Sequence, residues 1–327
     1  MNERPVTTWT ERAPLPEARA EIGVAELDGE IHVLGGTLQT TGAPKWACTR
    51  NTAYDPSSDT WRERSPMPAP LSHAGVAVLD GLLYAVGGFL EPVHMRPRDS
   101  VFAYGPATDT WHVLPPLPEA IGSVAVAAAG GLLHVFGGRT SSRIVELDTG
   151  PGGPELSAGF GTVNTHRTYD PRTRTWATAT PMPGPARDHQ GIAVLGDRLH
   201  LFGGRREDIA DNLSRHDVYD AATGTWSAAA ELPAPRSSGA YCVLDGRILY
   251  VGGECSANGN AGSFDAYSDT FEYDPETDAW TTLAPLPAPR HAFGAAAVGG
   301  TAYFVGGAPK CGGGASTTVF ALTRPLS

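Results

Sequence analysis

The chain has 327 residues, 41% of them hydrophobic, with 40 glycines, 28 prolines and a formal net charge of −11. A chain this acidic is a poor partner for nucleic acid, and no run approaches the roughly 18 apolar residues that a membrane span needs. Four cysteines are too few for a disulfide framework, and the opening "MNERPVTTW" lacks the apolar core of a secretory signal, so a cytoplasmic protein is expected, and a monomer is the expected state.

In chain order, "TTWTERAPLP" reads as a short strand around Trp9 that runs into a proline-rich turn. A strand of small residues follows, then "DGEIHVLGG": a two-residue turn, a strand, and a glycine pair at 35–36. The same stretch returns as "DGLLYAVGG", "GGLLHVFGG", "GDRLHLFGG", "DGRILYVGG" and "GGTAYFVGG". The pairs begin at 35, 87, 137, 203, 252 and 306, spacings of 52, 50, 66, 49 and 54. After each pair comes a dissimilar loop (37–53, 89–103, 139–168, 205–218, 254–272, 308–318). A third strand then ends in a polar turn closed by tryptophan, as in "YDPSSDTW" and "YDPETDAW", and Trp61, Trp111, Trp176, Trp226 and Trp280 open a fourth. No segment keeps a helical period.

Glycine is a poor strand residue, so two at the end of a good strand need a structural reason. A four-stranded sheet cannot bury both of its faces alone, whereas six around an axis can. The sixth unit ends after "TTVFAL" without a tryptophan, and the chain begins with a fourth strand that lacks its first three. The N-terminal strand is therefore expected to complete the last blade. The expected blades are 12–61, 62–111, 112–176, 177–226, 227–280, and 281–327 with 5–11, in a single domain, 1–327.

The glycine pair, the downstream tyrosine and the tryptophan, repeated about every 50 residues, resemble the kelch repeat. The resemblance implies an all-β, six-bladed propeller of four-stranded antiparallel blades. It also implies a ligand face made by the loops after the glycine pairs and the segments leading into the first strands.

Aligned across the blades, those leading segments place Arg19, Leu71, Ile121, Arg187, Arg236 and Arg290 at one position. Two residues on stand Glu21, His73, Ser123, His189, Ser238 and Ala292, with Asp188 and His291 between. Arg19, Arg187, Arg236, Arg290 and His291 are the expected ligand residues. Guanidinium groups suit carboxylates and phosphates, so an anionic small molecule or an acidic peptide is the expected partner. Glu21, His73 and His189 offer an alternative, a Zn or Fe site for a metal-dependent enzyme acting on a small carboxylate-bearing substrate. Glu207, Asp211 and His216, in "EDIADNLSRH", form a weaker metal candidate. That spacing is similar to the Glu-x3-Asp-x3-His iron motif of plant nitrile-specifier proteins, with one residue too many before the histidine. Cys48, Cys255 and Cys311 fall in loops of the same face, and a Cys255–Cys311 pairing stays open. Cys242 belongs to a first strand and is expected in the core. The loop 139–168, with "TGPGGPELSAGFG", reads as a disordered excursion in preference to a lid.

Overall fold

Six two-residue turns fold the first two strands of every unit into a hairpin. Five of them, at Asp28-Gly29, Asp80-Gly81, Gly130-Gly131, Asp245-Gly246 and Gly299-Gly300, have positive φ at both positions; in Gly196-Asp197 only the glycine does. These mirror-image turns match the right-handed twist of the strands they join. The computed structural model describes residues 7–38, 46–91, 94–147, 155–207, 211–255 and 264–324. It holds six four-stranded antiparallel sheets arranged as blades. Blade 1 is Gly23–Leu27, Glu30–Leu34, Asn51–Asp55 and Thr60–Arg64. Blade 4 is Gly191–Leu195, Arg198–Phe202, His216–Asp220 and Thr225–Ala228. In blade 6 the outer strand is Thr8–Glu11, with Trp9 opposite Leu322, so the two ends of the chain close the ring.

The innermost strands are small for a reason of space. A Cβ on Gly23 would lie 2.4 Å from Val76, and one on Gly294 would lie 2.3 Å from Val24. Neighbouring inner strands are therefore in van der Waals contact around the axis. The glycine pairs serve the joints between blades. The second glycine of each donates its N–H to the next blade, Gly36 to Leu71 O, Gly88 to Ile121 O and Gly307 to Arg19 O, at 2.9 Å in each case. A Cβ on the first glycine would strike that same carbonyl, at 2.2 Å for Gly35 and 2.3 Å for Gly87. The tryptophans tie the outer edge. Trp61 Nε1 donates to Ala13 O at 2.9 Å, Trp111 Nε1 to Ser65 O at 2.8 Å and Trp9 Nε1 to Ala284 O at 3.1 Å, in each case to the segment entering the blade from its neighbour.

Two two-stranded ribbons lie in loops after glycine pairs, and a third pairs Arg19–Ala20, in the segment leading into blade 1, with Thr37–Leu38. Phe89–Glu91 pairs with Met95–Pro97 above blade 2. In the segment 139–168, Arg139–Leu147 pairs with Glu155–Thr162 in an antiparallel ribbon whose register shifts between Ser141 and Ile144, its connecting turn lying outside the described residues.

Candidate functional site at the channel mouth

The position aligned by sequence forms a closed belt. The backbone N–H of Glu21 donates to Ala292 O, that of Ala292 to Ser238 O, Ser238 to His189 O, His189 to Ser123 O, Ser123 to His73 O, and His73 back to Glu21 O, at 2.8–3.3 Å. All six residues have φ between 53° and 58° although none is glycine. Left-handed backbone at a non-glycine residue costs on the order of 1 kcal/mol, so six in a circle persist only because the ring of blades imposes them. Each belt residue is presented toward the axis. The channel below, of about 110 Å³, is lined by the belt and the first residues of the inner strands. Above it lies a cavity of about 190 Å³, lined by Ala20, Glu21, Thr37, His73, His94, Arg205, Glu254, His291, Ala308 and Gly312–Gly314.

On the belt, His73, His94 and His189 converge, with one potential ligand atom from each lying within 4.8 Å of the others. His73 and His189 are belt residues. His94 comes from the ribbon over blade 2, where its φ of 61° precedes the strand Met95–Pro97. His94 Nε2 and His189 Nε2 stand 3.4 Å apart. On its other side His189 Nδ1 contacts the Asp188 carboxylate, which leaves Nε2 as the lone-pair nitrogen. That lone pair has three polar neighbours: Ser123 Oγ, within hydrogen-bond reach at 3.2 Å, and His94 Nε2 and Arg205 Nη2, each at 3.4 Å. His73 Nε2 lies 2.9 Å from Glu21 Oε2. Glu21 thus reaches the cluster through His73 rather than as a member of the three-residue set.

Behind the histidines runs a buried ionic web. Asp188, fully buried, accepts from Arg139 Nε at 2.8 Å and lies 3.4 Å from Arg205 Nε, and Arg205 also contacts Glu254. Burial pushes the Asp188 carboxyl up, and the two guanidinium groups oppose that push. Burial also opposes a charge on Glu21, but the neighbouring His73 ring prevails and holds its carboxyl well below the usual range. Burial, then the adjacent His73 and His189 rings, drive His94 well below the ordinary imidazole value; burial and the Arg205 guanidinium do the same to His189. Both rings are therefore neutral near pH 7, the form in which imidazole ligates a metal.

The four arginines expected at the mouth do not line either cavity. Arg19, Arg187, Arg236 and Arg290 are between 0% and 7% exposed and bond within the ring. Arg19 donates to Val33 O, Gly35 O and Thr52 Oγ1, and Arg290 to Gly306 O. Arg187 pairs with Asp217 at 2.8 Å, while Arg236 pairs with Asp269 at 2.5 Å and stacks 3.5 Å above Tyr267. Anion capture by these residues is thereby corrected: their charges satisfy blade backbone and blade carboxylates. Of that expected set only His291 faces the cavity.

The Glu207, Asp211 and His216 site is corrected as well. His216 opens a blade strand, and its ring is buried between His200, 2.9 Å away, and Ala230 O. Asp211 pairs with Arg206, and Glu207 is exposed. Cys255 and Cys311 form a disulfide between blades 5 and 6, while Cys48 and Cys242 are buried and free. The disulfide brackets one cavity wall, since Glu254 precedes Cys255, Gly312 follows Cys311, and Gly312 N donates to Glu254 Oε1 at 3.2 Å. The residues that sequence reasoning missed are His94, Arg139, Arg205 and Glu254. The last three share one alignable position, directly after a glycine pair. His94 has no counterpart in other blades and left no signal of that kind.

A closed ring of six four-stranded blades with a polar cavity at the channel mouth defines a ligand- or protein-binding β-propeller. The chain belongs to the kelch-repeat family: the KLHDC2/KLHL20/DRC7 Kelch-repeats domain matches residues 116–307, and the Kelch motif matches 70–118. It is 30% identical to Kelch-like protein terF of Aspergillus terreus over 314 residues, 94% of this chain and 65% of that one. Human Kelch-like protein 34 is 27% identical over 268 residues, 80% of this chain and 39% of the relative. The chain thus spans at most about two thirds of these relatives. Among solved structures it is similar to that of YjhT, with a TM-score of 0.75 and coverage of 95% and 96%; at 17% identity that likeness shows the fold alone.

Proposed function

We propose that the channel mouth is a divalent transition-metal centre, with His73, His94 and His189 as ligands and zinc or ferrous iron as the ion, serving a reaction or binding event on a small molecule in the cavity above. The observation that carries this reading is the 3.4 Å between His94 Nε2 and His189 Nε2. Two nitrogens each about 2.0–2.1 Å from a tetrahedral ion stand about 3.4 Å apart, whereas a good hydrogen bond to nitrogen or oxygen closes to about 2.9–3.0 Å. The same protein supplies the contrast. Its hydrogen-bonded histidine pairs, His134–His166 and His200–His216, both stand at 2.9 Å.

The surroundings support a cation. Asp188 fixes the His189 tautomer and Glu21 holds His73, the outer-shell arrangement that orients metal-bound imidazoles. Three carboxylates, Glu21, Asp188 and Glu254, face two guanidinium groups, Arg139 and Arg205, so the web favours an added positive charge. Both guanidinium groups are already engaged by carboxylates. A bound ion would polarise a ligand oxygen or make a bound water acidic. The residues then place that oxygen, because the side of the cluster away from the belt opens into the cavity. That space, about 190 Å³, has room for a small molecule.

Metal analysis tests the reading. Purified protein incubated with zinc or ferrous iron and then desalted is expected to retain about one ion per chain. His73→Ala and His94→Ala should each abolish retention, and His216→Ala should leave it unchanged. Wild-type protein that retains no ion overturns the proposal.

A further inference from the structure

The disulfide Cys255–Cys311 joins the loops that follow the glycine pairs of blades 5 and 6, with a Cα–Cα distance of 5.8 Å. The ring has other ties at this joint. The two blades share an apolar core that includes Cys242, Leu249, Phe293 and Phe304. Their backbones also meet, since Gly253 N donates to Arg290 O at 3.0 Å and Ala292 N to Ser238 O at 2.8 Å. What the disulfide holds beyond these contacts is local: the segment whose residues Gly312–Gly314 wall one side of the cavity.

That segment is poorly suited to keep a shape by itself. It reads Cys-Gly-Gly-Gly at 311–314. Glycine loses the most backbone freedom on ordering, and Gly312 and Gly314 are held at φ of 65° and 101°. Its ends are tied down at Lys310, whose carbonyl accepts from His291 Nε2 at 2.8 Å, and at Ser316, whose carbonyl accepts from Arg19 N at 3.3 Å. Between them Gly312 N reaches Glu254 Oε1 at 3.2 Å and Gly313 N reaches Lys310 O at 3.3 Å, both longer than the usual 2.9–3.0 Å. The bond from Cys311 N to Phe264 O, at 2.8 Å, is shorter, and it stands at the disulfide itself. The two cysteines differ in access: Cys255 is 1% exposed, whereas Cys311 is half-buried. An incoming thiolate therefore meets the disulfide from the Cys311 side, with Cys255 as the leaving group.

We propose that Cys255–Cys311 is a thiol-responsive latch: oxidised, it holds residues 311–315 as a wall of the cavity, and its reduction by a dithiol frees that wall. One thiolate of the dithiol forms a mixed disulfide with Cys311, and Cys255 leaves as a thiolate. The second sulfur of the dithiol then closes a cyclic disulfide and releases Cys311. The dithiol is oxidised by two electrons, and its two protons end on Cys255 and Cys311. The latch uses none of the three histidines of the proposed metal centre, so each reading can fail alone.

The test uses the full-length, metal-free protein, equilibrated with oxidised or with reduced dithiothreitol. Thiol titration in denaturant is expected to find two thiols after oxidation, those of Cys48 and Cys242, and all four after reduction. Amide hydrogen exchange followed by NMR is the readout of the wall. Reduction should speed exchange at Gly312, Gly313 and Gly314 by about tenfold or more and leave strand amides such as Ile31 and Leu249 unchanged. Cys311→Ser should exchange at the fast rate with or without the dithiol. If that variant fails to fold, the two states of the wild type still decide. Three results overturn the proposal: four thiols after oxidation, unchanged exchange at the three glycines after reduction, or faster exchange spread through all six blades, which would make the bond a staple of the whole ring.

Discussion

The two histidine pairs inside the blades make the fold sensitive to acid in a way that can be calculated. In blade 4, His200 Nδ1 and His216 Nε2 share a hydrogen at 2.9 Å, and in blade 3 His134 and His166 do the same. The rings pack on Phe202, Tyr273, Trp280 and Phe136, where a charge has no water. Burial lowers His200 to about 3 and His216 to about 4, and it lowers His166 to about 3. The unfolded value is about 6.5. The folded values are depressed, so below pH 6.5 the unfolded chain binds more protons. Stability is full above that point and declines as pH falls toward 4, at about 1.4 kcal/mol per pH unit for each ring. At pH 5 each ring has removed about 2 kcal/mol, and His166, His200 and His216 together about 6, against a typical total of 5–15. Blades 2 and 6 show how to remove the effect: Tyr84 and Tyr303 stand where His200 does, and Val101 and Val319 where His216 does. The double variant His200→Tyr, His216→Val should therefore lose about 4 kcal/mol less than wild type between pH 7.5 and pH 5. Urea unfolding at half-unit pH steps measures this. Parallel stability curves for the two proteins would refute the reasoning.

Two further outcomes concern how the ring is held. Gly87 and Gly81 both have positive φ, but a Cβ on Gly87 would lie 2.3 Å from Ile121 O while one on Gly81 meets nothing within 4 Å. Gly81→Ala should cost about 1 kcal/mol, the backbone penalty alone, and Gly87→Ala at least about 2–3, because the blade joint must also shift; equal midpoints in urea would sink the joint argument. Deleting residues 1–11 removes Thr8–Glu11 from blade 6, with the Trp9 ring 5.2 Å from Phe304, and should lower the melting temperature by about 10 °C or more. An unchanged transition in a calorimeter would show that the closure contributes little.

The repeat was legible because backbone geometry enforced it. Glycine pairs stand wherever a neighbouring carbonyl excludes a Cβ, and tryptophans wherever an indole must reach the segment entering from the adjoining blade, so spacing alone revealed six blades and the closing strand. Side-chain direction at the mouth was not legible. The arginines at 19, 187, 236 and 290 precede belt residues by two positions, and in a regular strand residues two apart share a face. Here the belt residue is left-handed, with φ of 56° at Glu21 and 53° at His189, and that turn breaks the alternation between them. Glu21 and His189 face the axis, while Arg19 and Arg187 run back between strands to Thr52 and Asp217. Nothing in residue type announces such a turn, because a glycine would have done so and none of the six is glycine. A non-glycine belt is also what gives the mouth its chemistry. Left-handed backbone with a side chain holds an imidazole or a carboxylate rigidly at the axis, and glycine there would leave the channel without His73, His189 or Glu21. The strain at those positions and the site they build thus have one cause, the closure of six blades onto a ring of backbone hydrogen bonds.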